Sequence, residues 1–155
     1  MIENARIGLL GFGEVGQILA ADLLGRGVQR ISVWDLQFAN EESAVSKAAQ
    51  SARVQVGRSA QDVTQDVTVV ISAVTAAQDL AAAQSVAPHL SEGTFFLDLN
   101  SVSPGVKQQV ADVIGQCGGR YVEAAIMSPI NPRRSGSPIL LGGPHADDFL
   151  KLAQP

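Results

Sequence analysis

The sequence has one cysteine, no excess of positive charge and no long apolar run. The single Cys117 excludes an internal disulfide, so an oxidising compartment is not implied. We expect this side chain to be small, apolar and buried. The formal net charge of -4 argues against nucleic acid and against an anionic membrane surface as partners. The first residues lack the basic and apolar regions of a signal peptide, and no apolar stretch reaches membrane-spanning length, so a cytoplasmic location is expected.

The composition of the chain is typical of one folded domain. Of the 155 residues, 46% are hydrophobic and 17% are charged, which excludes disorder as the main state of the chain. This length is sufficient for a single hydrophobic core. We therefore expect one domain that spans residues 1–155.

A glycine-rich loop follows the first apolar segment of the chain, residues 7–10, and forms a complete G-x-G-x-x-G. Gly11 permits a tight turn, Gly13 lets a pyrophosphate approach the backbone, and Gly16 lets the following helix pack closely on the strand. The helix start carries unpaired N–H groups and a partial positive charge, which suit a diphosphate. The sequence therefore predicts a dinucleotide-binding loop. Its residues are Gly11, Phe12, Gly13, Glu14, Val15 and Gly16.

An acid stands at the end of the second apolar segment, about 20 residues after the loop. Asp35 is placed to accept a hydrogen bond from a ribose 2′-hydroxyl. A 2′-phosphate would be repelled by this carboxylate and would require an arginine beside it, but Leu36 and Gln37 follow. NAD is therefore favoured over NADP. FAD and S-adenosylmethionine proteins use similar loops and remain as less favoured alternatives.

Short apolar segments alternate with helical patterns along the rest of the chain. The segments expected to form strands are 7–10, 30–34, 53–56, 67–74, 94–98, 120–127 and 138–141. This alternation predicts an α/β fold, a Rossmann-like doubly wound and mostly parallel sheet with helices on both faces. Three of the helices are expected to begin at the N-cap residues Asn40, Thr75 and Ser103.

Ligands on such sheets bind beyond the carboxyl ends of the strands. This rule adds three segments to the candidate site: Ala73, Val74 and Thr75 after the fourth strand, Asn100 and Ser101 after the fifth, and Met127 and Ser128 after the sixth. Thr75 is expected to cap its helix and also to border the cofactor. For Asn100 and Ser101, a site role and a turn-stabilising role are both open. Asp98 is expected to be a structural carboxylate that bonds the following turn.

With these segments, the sequence resembles the N-terminal domain of the β-hydroxyacid dehydrogenase superfamily, which includes 3-hydroxyisobutyrate dehydrogenase, 6-phosphogluconate dehydrogenase and the imine reductases. The resemblance covers essentially the whole chain. The segments that carry it are residues 7–16, 98–104 and 121–127. It implies an NAD(P)-binding domain of an enzyme that transfers hydride between nicotinamide and a small hydroxyacid, carbonyl or imine.

The resemblance also suggests which residues would contact the substrate. Asn100 falls on the family serine that touches substrate, next to Ser101, and is expected to border the cofactor as well. Met127 and Ser128 fall in the family segment that binds a substrate carboxylate through the sequence Ser-Gly-Gly. The replacement of Ser-Gly-Gly by Met-Ser-Pro in this chain favours a pocket like that of the imine reductases. The family's catalytic lysine comes from a helical C-terminal domain, before which this chain stops.

We therefore expect no catalytic residue among these 155, since Lys107 is expected on a surface helix and Lys151 near the end. The chain alone should be inactive, and apolar surface left uncovered would favour a homo-oligomer. The alternative to an oxidoreductase is a sensor or scaffold that binds a dinucleotide without turnover. Arg133 and Arg134 belong to a solvated loop or contact an anionic ligand group.

Overall fold

Seven strands form a single sheet in the computed structural model, which describes residues 2–154. The strands are β1 (Arg6–Leu10), β2 (Arg30–Trp34), β3 (Gln55–Val56), β4 (Val69–Ser72), β5 (Phe95–Asp98), β6 (Arg120–Ile126) and β7 (Ile139–Gly142). Their order in the sheet is β3-β2-β1-β4-β5-β6-β7. Strands β1 to β6 are parallel, and only β7 runs antiparallel to its neighbour. The predicted Rossmann-like, mostly parallel sheet is confirmed.

Five α-helices cover the two faces of this sheet. They are α1 (Glu14–Gly25), α2 (Ala44–Ser51), α3 (Asp79–Val86), α4 (Pro104–Gln116) and α5 (Ala146–Ala153). Helices α1, α2 and α5 contribute to one apolar core, in which Phe149 of α5 packs edge-on against Phe95 of β5. Helices α3 and α4 contribute to a second core on the opposite face. Because both faces are covered, the central strands β1, β4 and β5 are mostly apolar and buried, with polar residues at their ends.

Several local predictions need correction. The second helix is capped by Ser43, whose hydroxyl accepts from the Ser46 N–H. The side chain of the predicted cap, Asn40, accepts instead from the Glu42 N–H in the preceding turn. Thr75 makes no side-chain capping bond, and a short 3-10 turn separates it from α3. Cys117 is exposed at the end of α4 rather than buried, because it follows the last residue of that helix.

The strand register brings the carboxyl ends of the central strands to one edge. Leu10, at the end of β1, is level with Trp34 of β2 on one side and Ser72 of β4 on the other. Ser72 is level in turn with Asp98 of β5. The glycine loop, Asp35 and the segments after β4 and β5 therefore start from the same edge. Across the described residues, no helix combines the length and apolarity needed to cross a membrane.

Candidate functional site

The glycine loop connects β1 to α1, and its three glycines meet different surroundings. Gly11 has a φ of +89°, and a Cβ there would collide with the carbonyl oxygen of Ala73. A Cβ on Gly16 would collide with the carbonyl oxygen of Gly11. Gly13 has an ordinary φ of -72°, and a Cβ there would meet no atom within 4 Å. The fold requires glycine at the first and third positions, whereas the space beside Gly13 is open.

Asp35 links the glycine loop to the end of β2. Its Oδ2 accepts a 2.7 Å hydrogen bond from the Phe12 N–H, and its Oδ1 accepts a 2.8 Å bond from the Gln37 N–H. The Phe12 side chain is buried and packs near Phe38, whose ring also meets the edge of Trp34. Each carboxylate oxygen retains a further lone pair that can accept from a ligand hydroxyl. Asp35, the predicted hydrogen-bond acceptor for the ribose, therefore also holds the glycine loop in place.

The segment after β4 lies directly against the glycine loop. The Ala73 N–H donates to the Leu10 carbonyl at 2.8 Å, and the Ala73 carbonyl is the group that would exclude a side chain from Gly11. Val74 is half-buried in the core on the α3 side, and Thr75 is exposed. The structure thus brings the predicted residues Ala73 and Gly11 together, with Thr75 facing solvent at the same edge.

A buried polar cluster lies behind the ends of β4 and β5, with one member from the start of β6, and we call it the Asp98 cluster. Its members are Ser72, Asp79, Asp98, Asn100, Lys107 and Tyr121. Asp98 is fully buried and accepts from the Tyr121 hydroxyl at 2.9 Å and from the Asn100 N–H at 2.9 Å. Its Oδ2 also lies 3.0 Å from the ammonium of Lys107. The prediction that Asp98 is a structural carboxylate bonding the next turn agrees with these contacts.

The prediction that Lys107 lies on the helix surface is wrong. Only 8% of Lys107 is exposed, because its position on α4 faces the sheet together with Val110 and Ile114. Its ammonium is paired with Asp98 inside the protein. A buried ammonium needs such a partner, because an unpaired charge in the interior is costly.

Asn100 turns its carboxamide into the Asp98 cluster. The Nδ2 atom lies 2.8 Å from Asp79 Oδ1, 2.9 Å from Ser72 Oγ and 3.0 Å from Asp98 Oδ1. Its Oδ1 is buried and has no hydrogen-bond partner among residues 2–154. The turn-stabilising role is therefore present in the structure, and contact with a ligand stays a prediction. Ser101, the next residue, is exposed at the edge.

Asp79 and Tyr121 are members of the cluster that the sequence reasoning did not single out. Burial, together with the negative charge of Asp98, raises the pKa of Asp79 above that of an exposed aspartate. Burial and the same charge raise the pKa of Tyr121, so its hydroxyl stays protonated and donates to Asp98. One ammonium therefore faces two acids, and a proton retained on Asp79 would make the cluster electrically neutral. Neither group is a free proton donor at the surface.

Residues 127–138, which we call the β6–β7 loop, connect the end of β6 to the start of β7 and contact α1 on the way. Met127 is 57% exposed, and the Ser128 hydroxyl is buried with no hydrogen-bond partner in the described part of the chain. Arg134 does not lie free in solvent, because its guanidinium donates to Asp22 of α1 at 2.6 and 2.8 Å. Arg133 is exposed, as the solvated-loop interpretation predicts.

The family of the chain follows from its sequence match. Residues 6–154 match the model described as the NAD binding domain of 6-phosphogluconate dehydrogenase. The chain belongs to this family. The resemblance read from its motifs is confirmed, and a nicotinamide dinucleotide is the ligand class of the domain.

Individual relatives resemble this NAD-binding domain in sequence or in structure. The mitochondrial 3-hydroxyisobutyrate dehydrogenase of Mus musculus is 20% identical over 151 residues, which cover 96% of the chain and 44% of that enzyme. A conserved hypothetical protein from Sinorhizobium meliloti 1021 is 34% identical with a TM-score of 0.85, over 95% of the chain and 50% of that protein. An imine reductase from Myxococcus stipitatus, solved with NADP+, is 21% identical with a TM-score of 0.73, over 94% of the chain and 49% of that enzyme. The chain therefore spans about half the length of these relatives.

The residues of this NAD-binding domain fit the dinucleotide. The space beside Gly13 is left open at the start of α1, where N–H groups point away from the helix. Asp35 stands at the adjoining strand end with acceptor capacity to spare. A diphosphate beside Gly13 and a ribose beside Asp35 would each meet the chemistry they require.

Proposed function

We propose that this chain is the NAD-binding domain of an oxidoreductase that transfers hydride to or from a small polar substrate, a hydroxyacid, a carbonyl compound or an imine. The observation that carries the proposal is the open space beside Gly13, next to the Asp35 carboxylate. Family membership supports an oxidoreductase, and the match to a 3-hydroxyisobutyrate dehydrogenase suggests the substrate class. The alternative is a dinucleotide-binding module without turnover.

In this proposal the chain's own residues bind and orient. The N–H groups at the start of α1 would bind the diphosphate, and Asp35 would accept from the ribose hydroxyls. Ala73, Val74 and Thr75 would border the cofactor, and Ser101, Met127 and Ser128 would face the substrate. Asn100 would border both the cofactor and the substrate from the turn that it holds through the Asp98 cluster. The nicotinamide, when bound, would supply the hydride chemistry.

We further propose that the proton donor for turnover is not among these residues. Lys107 and Tyr121 are candidate proton donors in the Asp98 cluster, and both are buried against Asp98. Losing a general acid typically lowers a rate by about 10²- to 10⁴-fold. The chain loaded with NADH should therefore show no meaningful turnover of glyoxylate, succinic semialdehyde or cyclic imines in an absorbance assay. Robust turnover of any of these would place the acid within the chain and contradict the proposal.

We also propose that NAD(H) is preferred to NADP(H). The Asp35 carboxylate would repel a 2′-phosphate, and Leu36 and Gln37 provide no positive charge beside it. NADH should bind roughly ten- to thirtyfold more tightly than NADPH, and Asp35→Ala should narrow that ratio. The ratio is the informative quantity in calorimetry, because Asp35 also holds the loop through Phe12.

A matched control for this prediction is Asp112→Ala, which removes an exposed carboxylate from α4 and should leave the ratio unchanged. Tighter binding of NADPH by the parent protein would overturn the proposed preference. In that event Arg53, Arg58 or another group elsewhere would be the phosphate partner to test.

A further inference from the structure

The β6–β7 loop is fastened to α1 at two points. At the first, both oxygens of the Asp22 carboxylate are used: Oδ1 accepts from the Arg134 guanidinium, and Oδ2 accepts from the Ser135 N–H at 2.9 Å. Partial burial alone would raise the pKa of Asp22, but these hydrogen bonds lower it overall. At the second point, Asn131 Nδ2 donates to Glu14 Oε1 at 2.7 Å. The loop thus reaches from the middle of α1 to its first residue.

Glu14 places a carboxylate at the helix start where the diphosphate is expected. It is the first residue of α1 and the fourth residue of the glycine motif, next to Gly13. Without a ligand, an acid in the first turn interacts favourably with the helix dipole. With a diphosphate bound at the same helix end, the two negative charges repel each other. The cost of that repulsion depends on where the Glu14 side chain is held.

We propose that Asn131 is a positioning residue for dinucleotide binding, which restrains the Glu14 carboxylate against the β6–β7 loop and so lowers its repulsion of the diphosphate. The inference rests on the proposed dinucleotide site at the glycine loop. The paired Asp22 and Arg134 keep the loop in place, so that the Asn131 amide meets Glu14. Asn131 acts through Glu14 and does not itself touch the ligand.

A purely structural role is a poor explanation of this contact. Both Asn131 and Glu14 are exposed, and a solvent-exposed hydrogen bond contributes little to folding. The first point of attachment, at Asp22, already holds the loop on the helix with three hydrogen bonds. What the Asn131 amide adds is a fixed position for one negative charge at the place where an anionic ligand is expected.

A double-mutant cycle tests the proposal with NADH as the probe. The dissociation constant is measured by calorimetry for the parent, Asn131→Ala, Glu14→Gln and the double variant. Asn131→Ala should weaken binding by roughly three- to tenfold, and Glu14→Gln should tighten it by roughly two- to fivefold. The double variant should bind like Glu14→Gln, because without the charge there is nothing for Asn131 to restrain.

Two further measurements separate positioning from structure. The loss caused by Asn131→Ala should shrink as the salt concentration rises, since screening weakens the repulsion that the amide relieves. The urea midpoint of this variant should match that of the parent. Asn4→Ala, which removes an exposed asparagine before β1, is the matched control and should leave NADH affinity unchanged.

The outcomes that oppose the proposal are distinct. An equal loss from Asn131→Ala in the parent and in the Glu14→Gln background would mean that Asn131 contacts the ligand directly, and the proposal would be overturned. Unchanged affinity in Asn131→Ala would overturn it as well. If the parent protein does not bind NADH, the proposed function itself fails, which is a separate result from failure of the cycle.

Discussion

Replacing Gly13 with valine should abolish tight NADH binding while leaving the fold intact. The new Cβ would meet no protein atom within 4 Å, and the backbone at Gly13 has a φ of -72° that valine tolerates. The valine side chain would instead fill the space where a diphosphate is expected to approach the N–H groups of α1. Each charge-assisted hydrogen bond to such a group contributes about 1.5–3 kcal/mol, so loss of two or more lowers affinity by about a hundredfold or more.

The single tryptophan makes this measurement direct. Trp34 immediately precedes Asp35, so its fluorescence should report on a dinucleotide bound there. Gly25→Val is the matched control, because Gly25 lies at the other end of α1 and a Cβ there also meets nothing within 4 Å. Near-parent affinity in a correctly folded Gly13→Val protein would remove the glycine loop as the dinucleotide site.

The second large effect is expected on stability. Asp98→Ala should lower the free energy of unfolding by about 3–5 kcal/mol, because it leaves the buried Lys107 ammonium without its partner. The same change removes the acceptor of the Tyr121 hydroxyl and of the Asn100 N–H. Chemical denaturation followed by circular dichroism gives the value.

A rescue experiment identifies the cause of this loss. Adding Lys107→Met to Asp98→Ala removes the stranded charge and should recover part of the lost stability. Asp62→Ala is the surface comparison, since that carboxylate pairs with the exposed Arg58, and the unfolding midpoint should change little. An Asp98→Ala protein with the parent's midpoint would show that the cluster contributes nothing to the folded state.

The fold and the glycine loop could be predicted from the sequence because their signals are local. A buried strand, a glycine turn and the first residue of a helix lie within ten residues of one another. The position of the acid at the end of β2 is predicted from the length of that strand alone. The start of the second helix was missed because Asn40 and Ser43 are both good caps three residues apart. In the structure the helix begins directly after Ser43, whose hydroxyl accepts from the Ser46 N–H.

The Asp98 cluster could not be predicted in the same way, because its members come from five different elements and the turn after β5. The burial of the charged residues of this cluster is nevertheless indicated by their spacing in the sequence. Lys107 shares its helix face with Val110 and Ile114, at spacings of three and four residues, and Asp79 does the same with Ala83 and Val86. A charged residue in register with an apolar stripe predicts a buried ion pair. Which residue is its partner depends on the order of the strands.

Under the proposed preference for NAD(H), Asp35 constrains how substitutions could change the cofactor of this domain. One Asp35 oxygen accepts from the Phe12 N–H and the other from the Gln37 N–H. A single substitution of Asp35 that admits a 2′-phosphate would therefore also release the glycine loop. A successful switch therefore needs at least two substitutions. One replaces the carboxylate with a group that tolerates phosphate, and another supplies a new acceptor for the Phe12 amide. Intermediates with only the first change would bind either dinucleotide poorly, which places a barrier between the two specificities.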